Sequence, residues 1–314
     1  MRERSTGKIF FMGALRAHSN SYSLPGSNEL VEAEIISLLK YFSLFRHPLK
    51  LSEIYKLLPD NIKELDTKFA LRKMDITGTI KKIGEYYLLA TDDDAIIQKR
   101  IIGEVKATHL FPKAKRTAHF ISLFPFVKFV GISGSLSKNY ADEKSDFDFF
   151  IITANNTLWI CRTILHLVKK LSYIIGRQHH LCMNYFIDEH YLRLDEKNLF
   201  TRIELSTLIP VYNENIYKTF LLRNQSNLSN IQHLDIDFEG AVKFNLITLG
   251  KKNLFWKSLN LFLMDLTDRK WKHKWKKKGY PMDDYQLAFK TTPYVSKNHP
   301  ANYQKKVLEQ LQKR

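Results

Sequence analysis

"GISGSLSKNYADEKSDFDFFIIT", Gly131 to Thr153, decides how the chain is read. Its second half, Ser145 to Thr153, has the apolar density of a buried strand yet carries Asp146 and Asp148. Aspartate is depleted from strands, and a buried carboxylate without a partner is costly or gives up its charge. Side chains alternate along a strand, so Asp146 and Asp148 are expected on one face and Phe147 and Phe149 on the other. Two carboxylates roughly 7 Å apart on one face suit a hard divalent cation. Mg²⁺, or Mn²⁺ in its place, keeps positions open for waters and substrate phosphates, so the pair suits a nucleoside triphosphate. Gly134 and Ser135 supply the other half. A glycine at a strand end lets the backbone turn tightly beside a ligand, and the following N–H groups, with the Ser135 hydroxyl, can hold terminal phosphates. Lys138, just past the turn, is either a triphosphate contact or a solvated lysine.

Around this stretch, "FVKFVGIS" reads as an apolar strand, Thr157 to Ile175 as a helix and "HLCMNYFID" as a third strand, which makes a mixed α/β core. "LFTRIELSTLIPVYN" and "NIYKTFLLRN" read as helices around Pro210, and the C-terminal part as almost all helix. Upstream, residues 1–28 lack periodicity and are rich in Ser, Asn and Gly, the pattern of a loose arm. Ile35, Leu38, Leu39 and Phe42 mark a first helix that stops near Pro48. "LSEIYKLLP" gives a second, with Ser52 as its N-cap, and Ile62 to Asp75 a third, with Leu65, Phe69 and Met74 facing inward. "TIKKIGEYYLLA" follows as a hairpin turning at Gly84. The acidic "TDDD" then opens a connector of one or two helices that runs toward Pro125.

Composition sets the frame. With 44% hydrophobic residues in 314, the chain can fill real cores. Without a run of about eighteen apolar residues no transmembrane segment is expected, and "IFFMGAL" is too short for a signal peptide, so a cytoplasmic protein is the default. Cys161 and Cys182 fit neither a disulfide framework nor a zinc cluster, and His179, His180 and Cys182 lack further ligands, so packing is the expectation for them. The net charge of +17 is mostly C-terminal: residues 251–314 hold 16 Lys+Arg against 5 Asp+Glu, a balance of +11. Such asymmetry favours an anionic partner. In "TDRKWKHKWKKKGY", residues 267–280, Trp271 and Trp275 stand at i, i+4 spacing. They form either a stripe packed on the core beneath a solvated basic face or a surface for RNA, DNA or anionic lipid.

Two resemblances follow. Three helices closed by a hairpin resemble a winged helix-turn-helix over Glu29 to Ala90, although acids and bases mix in its third helix, which weakens it as a DNA reader. A hydrophobic strand, Gly-Ser, about ten residues and Ser-Asp-x-Asp in a second strand resemble the nucleotidyltransferase superfamily of the DNA polymerase β type, in element order across roughly 93–222. With "KTTPYVSKNHPANYQKKVLEQL" the chain also looks like uncharacterised bacterial nucleotidyltransferase-domain proteins that carry an N-terminal winged helix. The resemblance implies an α/β (α+β) protein with these parts: a flexible arm, 1–28; a winged-helix-like domain, 29–92; a nucleotidyltransferase core with a mixed sheet and connector helix, 93–235; and a basic helical region, 236–314.

The implied activity is Mg-dependent transfer of a nucleoside monophosphate from an NTP, such as ATP, to an unidentified acceptor hydroxyl or phosphate. Asp146 and Asp148 would be the catalytic and metal-binding acids, and Gly134, Ser135 and Lys138 would bind the nucleotide. The superfamily usually has a third acid on a later strand, and its counterpart here is Asn184. Asparagine can offer a metal its carbonyl oxygen but cannot act as a general base. Asp188, at the strand end, and Glu204, in the next helix, are the possible substitutes. The alternative is a catalytically degenerate nucleotide-sensing or DNA-associated regulator. Two other readings of the acids compete: a solvent-facing pair on an edge strand beside an ordinary turn, and the Asp-x-Asp of glycosyltransferases, which needs no upstream Gly-Ser.

Overall fold

A computed structural model describes residues 27–143, 145–174, 181–228, 251–298 and 303–313. The expected arm lies outside these residues, as do His179 and His180, except that Ser27 and Asn28 open the first helix. The N-terminal unit runs α1 (Ser27–Ser43), β1 (Leu49–Lys50), α2 (Leu51–Leu57), α3 (Glu64–Ile76), β2 (Ile80–Ile83) and β3 (Tyr86–Leu89). The three helices and closing hairpin follow the expected order. Unexpected is β1, which joins the hairpin in an antiparallel sheet of order β1-β3-β2. Ile35, Leu38, Leu39 and Phe42 of α1 meet Ile54, Leu57, Leu71, Met74 and Ile80 in one core.

Two local expectations are corrected. Lys50, not Ser52, caps α2, and its N–H donates to Glu53 Oε2 at 2.9 Å. Met74 of α3 faces inward as expected, but Leu65 and Phe69 are exposed. The buried positions are Thr67, Ala70, Leu71 and Met74, so α3 turns its other apolar stripe to the core. A helix with two candidate stripes buries the one its neighbours can accommodate, and the smaller Ala70 and Thr67 let α1 approach closely.

α4 (Ala95–Ser122) is one continuous helix through Pro112. The acids precede it rather than occupy its first turn, and Asp93 Oδ1 accepts from the Ala95 N–H at 3.0 Å. The chain continues through β4 (Val127–Ser133), β5 (Asp148–Thr153), α5 (Leu158–Ile174), β6 (Cys182–Asp188), α6 (Leu199–Ser206), β7 (Ile209–Tyr212), α7 (Glu214–Arg223), α8 (Lys251–Lys277), α9 (Tyr285–Ala288), β8 (Val295–Lys297) and α10 (Tyr303–Lys313). The five-stranded sheet has the order β7-β4-β5-β6-β8. It is mixed: β5 and β6 are parallel, with α5 as the crossover, and the other pairs are antiparallel. Val130, Ile132, Phe149, Ile151 and Phe186 pack beneath α4 and α5 on one face. Phe129, Phe150, Ile152 and Ile187 meet Leu205, Leu208, Tyr217 and Phe220 on the other. Burial on both faces explains why β5 reads as a continuous apolar run rather than an alternating one.

The helices expected around Pro210 are α6 and α7, but the residues at Pro210 itself are not helical. They form β7, whose Pro210 sits opposite Gly131 at the sheet edge, where a residue without an N–H is tolerated. Nor is the C-terminal region an all-helical annex. β8 pairs with β6 and closes the far side of the sheet. Asn260 of α8 accepts the Trp159 N–H at 2.7 Å, and the Trp159 indole donates to the Thr292 carbonyl at 2.8 Å. Val307 and Leu311 of α10 pack into the N-terminal core, so the chain's end ties the two units together. Among the described residues, no helix is long and apolar enough to cross a membrane.

Candidate functional site

The antiparallel register of β4 and β5 sets Ser133 opposite Asp148, so the end of one strand meets the start of the other. Gly134 turns the chain there with φ +70°, in the region that favours glycine. A Cβ on Gly134 would collide with Asp148 Oδ2 and lie 3.0 Å from its Cγ. The turn therefore needs glycine twice, for its backbone and for its close approach to the carboxylate. The Ser135 carbonyl accepts from the N–H groups of Lys138 at 3.0 Å and Tyr140 at 3.1 Å, and Asn139 completes the turn with φ +52°.

β5 begins at Asp148, so Asp146 precedes the strand instead of lying within it. The alternation nevertheless holds: Phe147 and Phe149 are in the core, and the two aspartates are only partly buried. Burial raises the Asp148 pKa to about 6, and the negative charges of Glu204 and Asp146 push the same way. A hydrogen bond with the Cys182 thiol and the charge of Lys138 oppose the shift. Burial and the neighbouring Asp148 raise the Cys182 thiol in turn to about 12, so it stays protonated.

The parallel pairing of β5 with β6 sets Asp148 opposite Cys182 and brings Asn184 alongside. Asn184 Nδ2 donates to Asp148 Oδ1 at 3.1 Å and to Cys182 Sγ at 3.2 Å. Glu204 arrives from α6, and Lys138 Nζ links it to the turn, donating to Glu204 Oε1 at 2.9 Å and to the Gly134 carbonyl at 3.0 Å. Gly134, Ser135, Lys138, Asp146, Asp148, Asn184 and Glu204 thus converge. Asp188 does not. It pairs in register with Thr153, at the opposite end of β5 and about 17 Å from Asp148 by the strand rise. Its oxygens accept the N–H groups of Asn156 at 2.7 Å and His190 at 2.9 Å, which makes it a buried organiser of two loops.

Among the described residues, no group of three or more His, Cys, Asp or Glu stands ready for a metal. Two carboxylates with the Asn184 carbonyl oxygen still suit Mg²⁺, which takes few protein ligands and completes its octahedron with waters and phosphates. A carboxylate that burial pushes toward its neutral form is one that a divalent ion would stabilise. The residues present therefore fit such an ion.

Of the basic stretch, Trp275 is buried with Tyr285, Ala288 and Phe289, while Trp271 packs between Trp159 and Phe289. Lys276, Lys277 and Lys278 remain exposed. The aromatic stripe thus faces the core. Arg100, which no motif singled out, is buried in α4 and donates to the Asn139 carbonyl at 2.6 Å. An arginine in an amphipathic helix carries no sequence sign of being buried. No family model, no curated protein and no solved structure matches the chain.

Proposed function

We propose that the chain is a nucleotidyltransferase of the polymerase β type that uses Mg²⁺ to move a nucleoside monophosphate from an NTP to an acceptor. One observation carries the reading: the Gly134 turn lies directly against the Asp148 carboxylate, at a distance only glycine allows. The turn and the Ser135 hydroxyl would hold the terminal phosphates beside the carboxylates. Asp146 and Asp148 would hold the metal, with the Asn184 carbonyl as a further donor. When bound, the ion would neutralise triphosphate charge and acidify the attacking hydroxyl. The acceptor oxygen would lose its proton to solvent and form a bond to the α-phosphorus, the bond from that phosphorus to the α–β bridging oxygen would break, and pyrophosphate would leave with the electron pair.

A general base on the chain would take that proton faster than solvent does. Asn184 cannot take it, and Glu204, the nearest remaining carboxylate, is held by Lys138. That arrangement supports a second reading, a nucleotide-binding regulator with little or no transfer. The element order α1-β1-α2-α3-β2-β3 supports a winged helix-turn-helix in either case. Its α3 exposes Leu65, Phe69 and Ile76, while Lys68 pairs with Glu64 at 2.7 Å and Lys73 with Glu32 at 2.7 Å. That face is apolar apart from the exposed Arg72, and with both lysines engaged it favours contact with protein over contact with phosphates. The exposed lysines after Trp275 are the candidate polyanion surface.

The test is nucleotide binding and pyrophosphate release with Mg²⁺ and each of the four NTPs. Both together support the enzyme, and binding alone supports the regulator. Absence of Mg-dependent binding to any NTP refutes both.

A further inference from the structure

Four residues of the turn, Lys138 to Ala141, face α4 across a closely fitted contact. Arg100 is fully buried, and its guanidinium donates to the Asn139 carbonyl at 2.6 Å and reaches the Lys138 carbonyl at 3.5 Å. One helical turn on, Gly103 receives the Tyr140 ring in a space its own side chain would occupy, and its carbonyl accepts the Ala141 N–H at 3.1 Å. Asn139 is held at φ +52°, an uncommon conformation for a residue with a Cβ, and its carbonyl is the one that takes the short bond.

The same guanidinium reaches the N-terminal unit. Its Nη2 binds Glu53 of α2 at 2.5 Å and Glu104 of its own helix at 3.0 Å. Lys50 joins Glu104 to Glu85 of the hairpin, at 3.0 Å each. His47 meets Tyr140 edge to face at 5.6 Å between ring centres. A buried guanidinium is expensive unless its charge and donors are matched, and here both terminal nitrogens are matched, by partners from two units at once, while Nε has no hydrogen-bond partner.

We infer that Arg100 is a positioning residue. It fixes the turn from Gly134 to Ala141, and with it Lys138, and it makes that geometry depend on Glu53 of the N-terminal unit. The fork geometry is the means: one nitrogen serves the turn carbonyls and the other the carboxylates, which a lysine cannot reproduce. The consequence for nucleotide affinity rests on the proposed function; the positioning itself does not.

The experiment uses the full chain and Arg100→Lys, which keeps the charge beside Glu53 and Glu104 but loses the fork. Hydrogen exchange is followed at the hydrogen-bonded amides of Lys138, Asn139, Tyr140 and Ala141, with the amides of α1 and β5 as internal references. The expected result is exchange faster by about 10-fold or more at the four turn amides with the references unchanged, since a local opening leaves the rest protected. Glu53→Gln should move the same amides in the same direction, and combining the two should add little, since both act through one group. Glu53→Gln alone repeats the measurement should Arg100→Lys fail to fold, since it removes the charge that holds the guanidinium. Turn amides that keep wild-type exchange overturn the proposal, and so does acceleration shared equally by the references, which marks a purely structural arginine. Mg-ATP affinity is measured on the same proteins, with a fall of about 10-fold expected when the turn loosens. A loosened turn in a chain whose wild type binds no nucleotide upholds the positioning and sinks the nucleotide reading alone.

Discussion

Asp148→Asn offers the sharpest check on the candidate site, because it should stabilise the protein without metal while removing the metal's effect. In the folded state the Asp148 pKa rises from 3.8 to about 6, chiefly through burial. Below pH 3.8 both folded and unfolded chains carry the proton, and the group costs nothing. Between 3.8 and about 6 the folded state binds more protons than the unfolded state, so stability falls as pH rises. Above that window both are ionised and the full penalty stands, about 2–3 kcal/mol after allowance for the partial exposure of the carboxylate. Asparagine is nearly isosteric, carries no charge, and its carbonyl can still accept from Asn184 Nδ2, now 3.1 Å away. Urea unfolding of both proteins from pH 4 to pH 8 should therefore show equal stability near pH 4 and an advantage of about 2–3 kcal/mol for the variant at pH 7.5. Asp188 titrates in the same window, but it is common to both proteins and drops out of the difference. Millimolar Mg²⁺ should raise the midpoint of the wild type and leave Asp148→Asn unmoved. A variant less stable than wild type at pH 7.5 would refute the reasoning, since the carboxylate would then be well matched without any cation.

Three further outcomes can be measured on the same preparation. Gly134→Val forces a β-branched residue to φ +70° and drives its Cβ into Asp148. It should lose about 2–4 kcal/mol in urea melts and all Mg-dependent NTP binding, and a variant with normal nucleotide affinity would make the turn merely structural. Asn184→Asp places a second carboxylate beside Asp148. Without metal the melting temperature should fall; with Mg²⁺ it should recover and pyrophosphate release should rise by about 10²-fold, whereas a variant that is less stable and no more active means the third-acid position is misplaced. Charge reversal at Lys276, Lys277 and Lys278, all exposed, should weaken any binding to RNA, DNA or acidic vesicles and flatten its salt dependence, and salt-insensitive binding would leave only a solvated basic face.

How much of this was legible in the sequence differs from element to element. Strand alternation alone sent Phe147 and Phe149 to the core and the two aspartates away from it, because the period of two follows from backbone geometry. Gly134 could be singled out for the same local reason: a turn at a strand end asks for a residue free to take positive φ. The helices of the N-terminal unit followed from their periodicity, but the buried face of α3 did not. Leu65, Phe69 and Ile76 form one stripe and Ala70, Leu71 and Met74 another, and only the packing of α1 chose between them.

What lay beyond local pattern was decided by pairing across long separations. Pro210 and Val295 sit in strands of only four and three residues, too short for a local period to show, and each is fixed by pairing with an edge that β4 or β6 offers. Asp188 and Glu204 looked equivalent as substitutes for a third acid. The parallel register of β5 with β6 sends Asp188 to the far end of the sheet, and the placement of α6 brings Glu204 to Lys138. Arg100 could not be distinguished from any other arginine on an amphipathic helix until the turn carbonyls and Glu53 closed around it. The sequence by itself determined which residues could turn, alternate or carry charge, since those are properties of a residue and its immediate neighbours. Which of them meet was left to the tertiary structure, because a contact across tens of residues depends on register and packing that no local window contains.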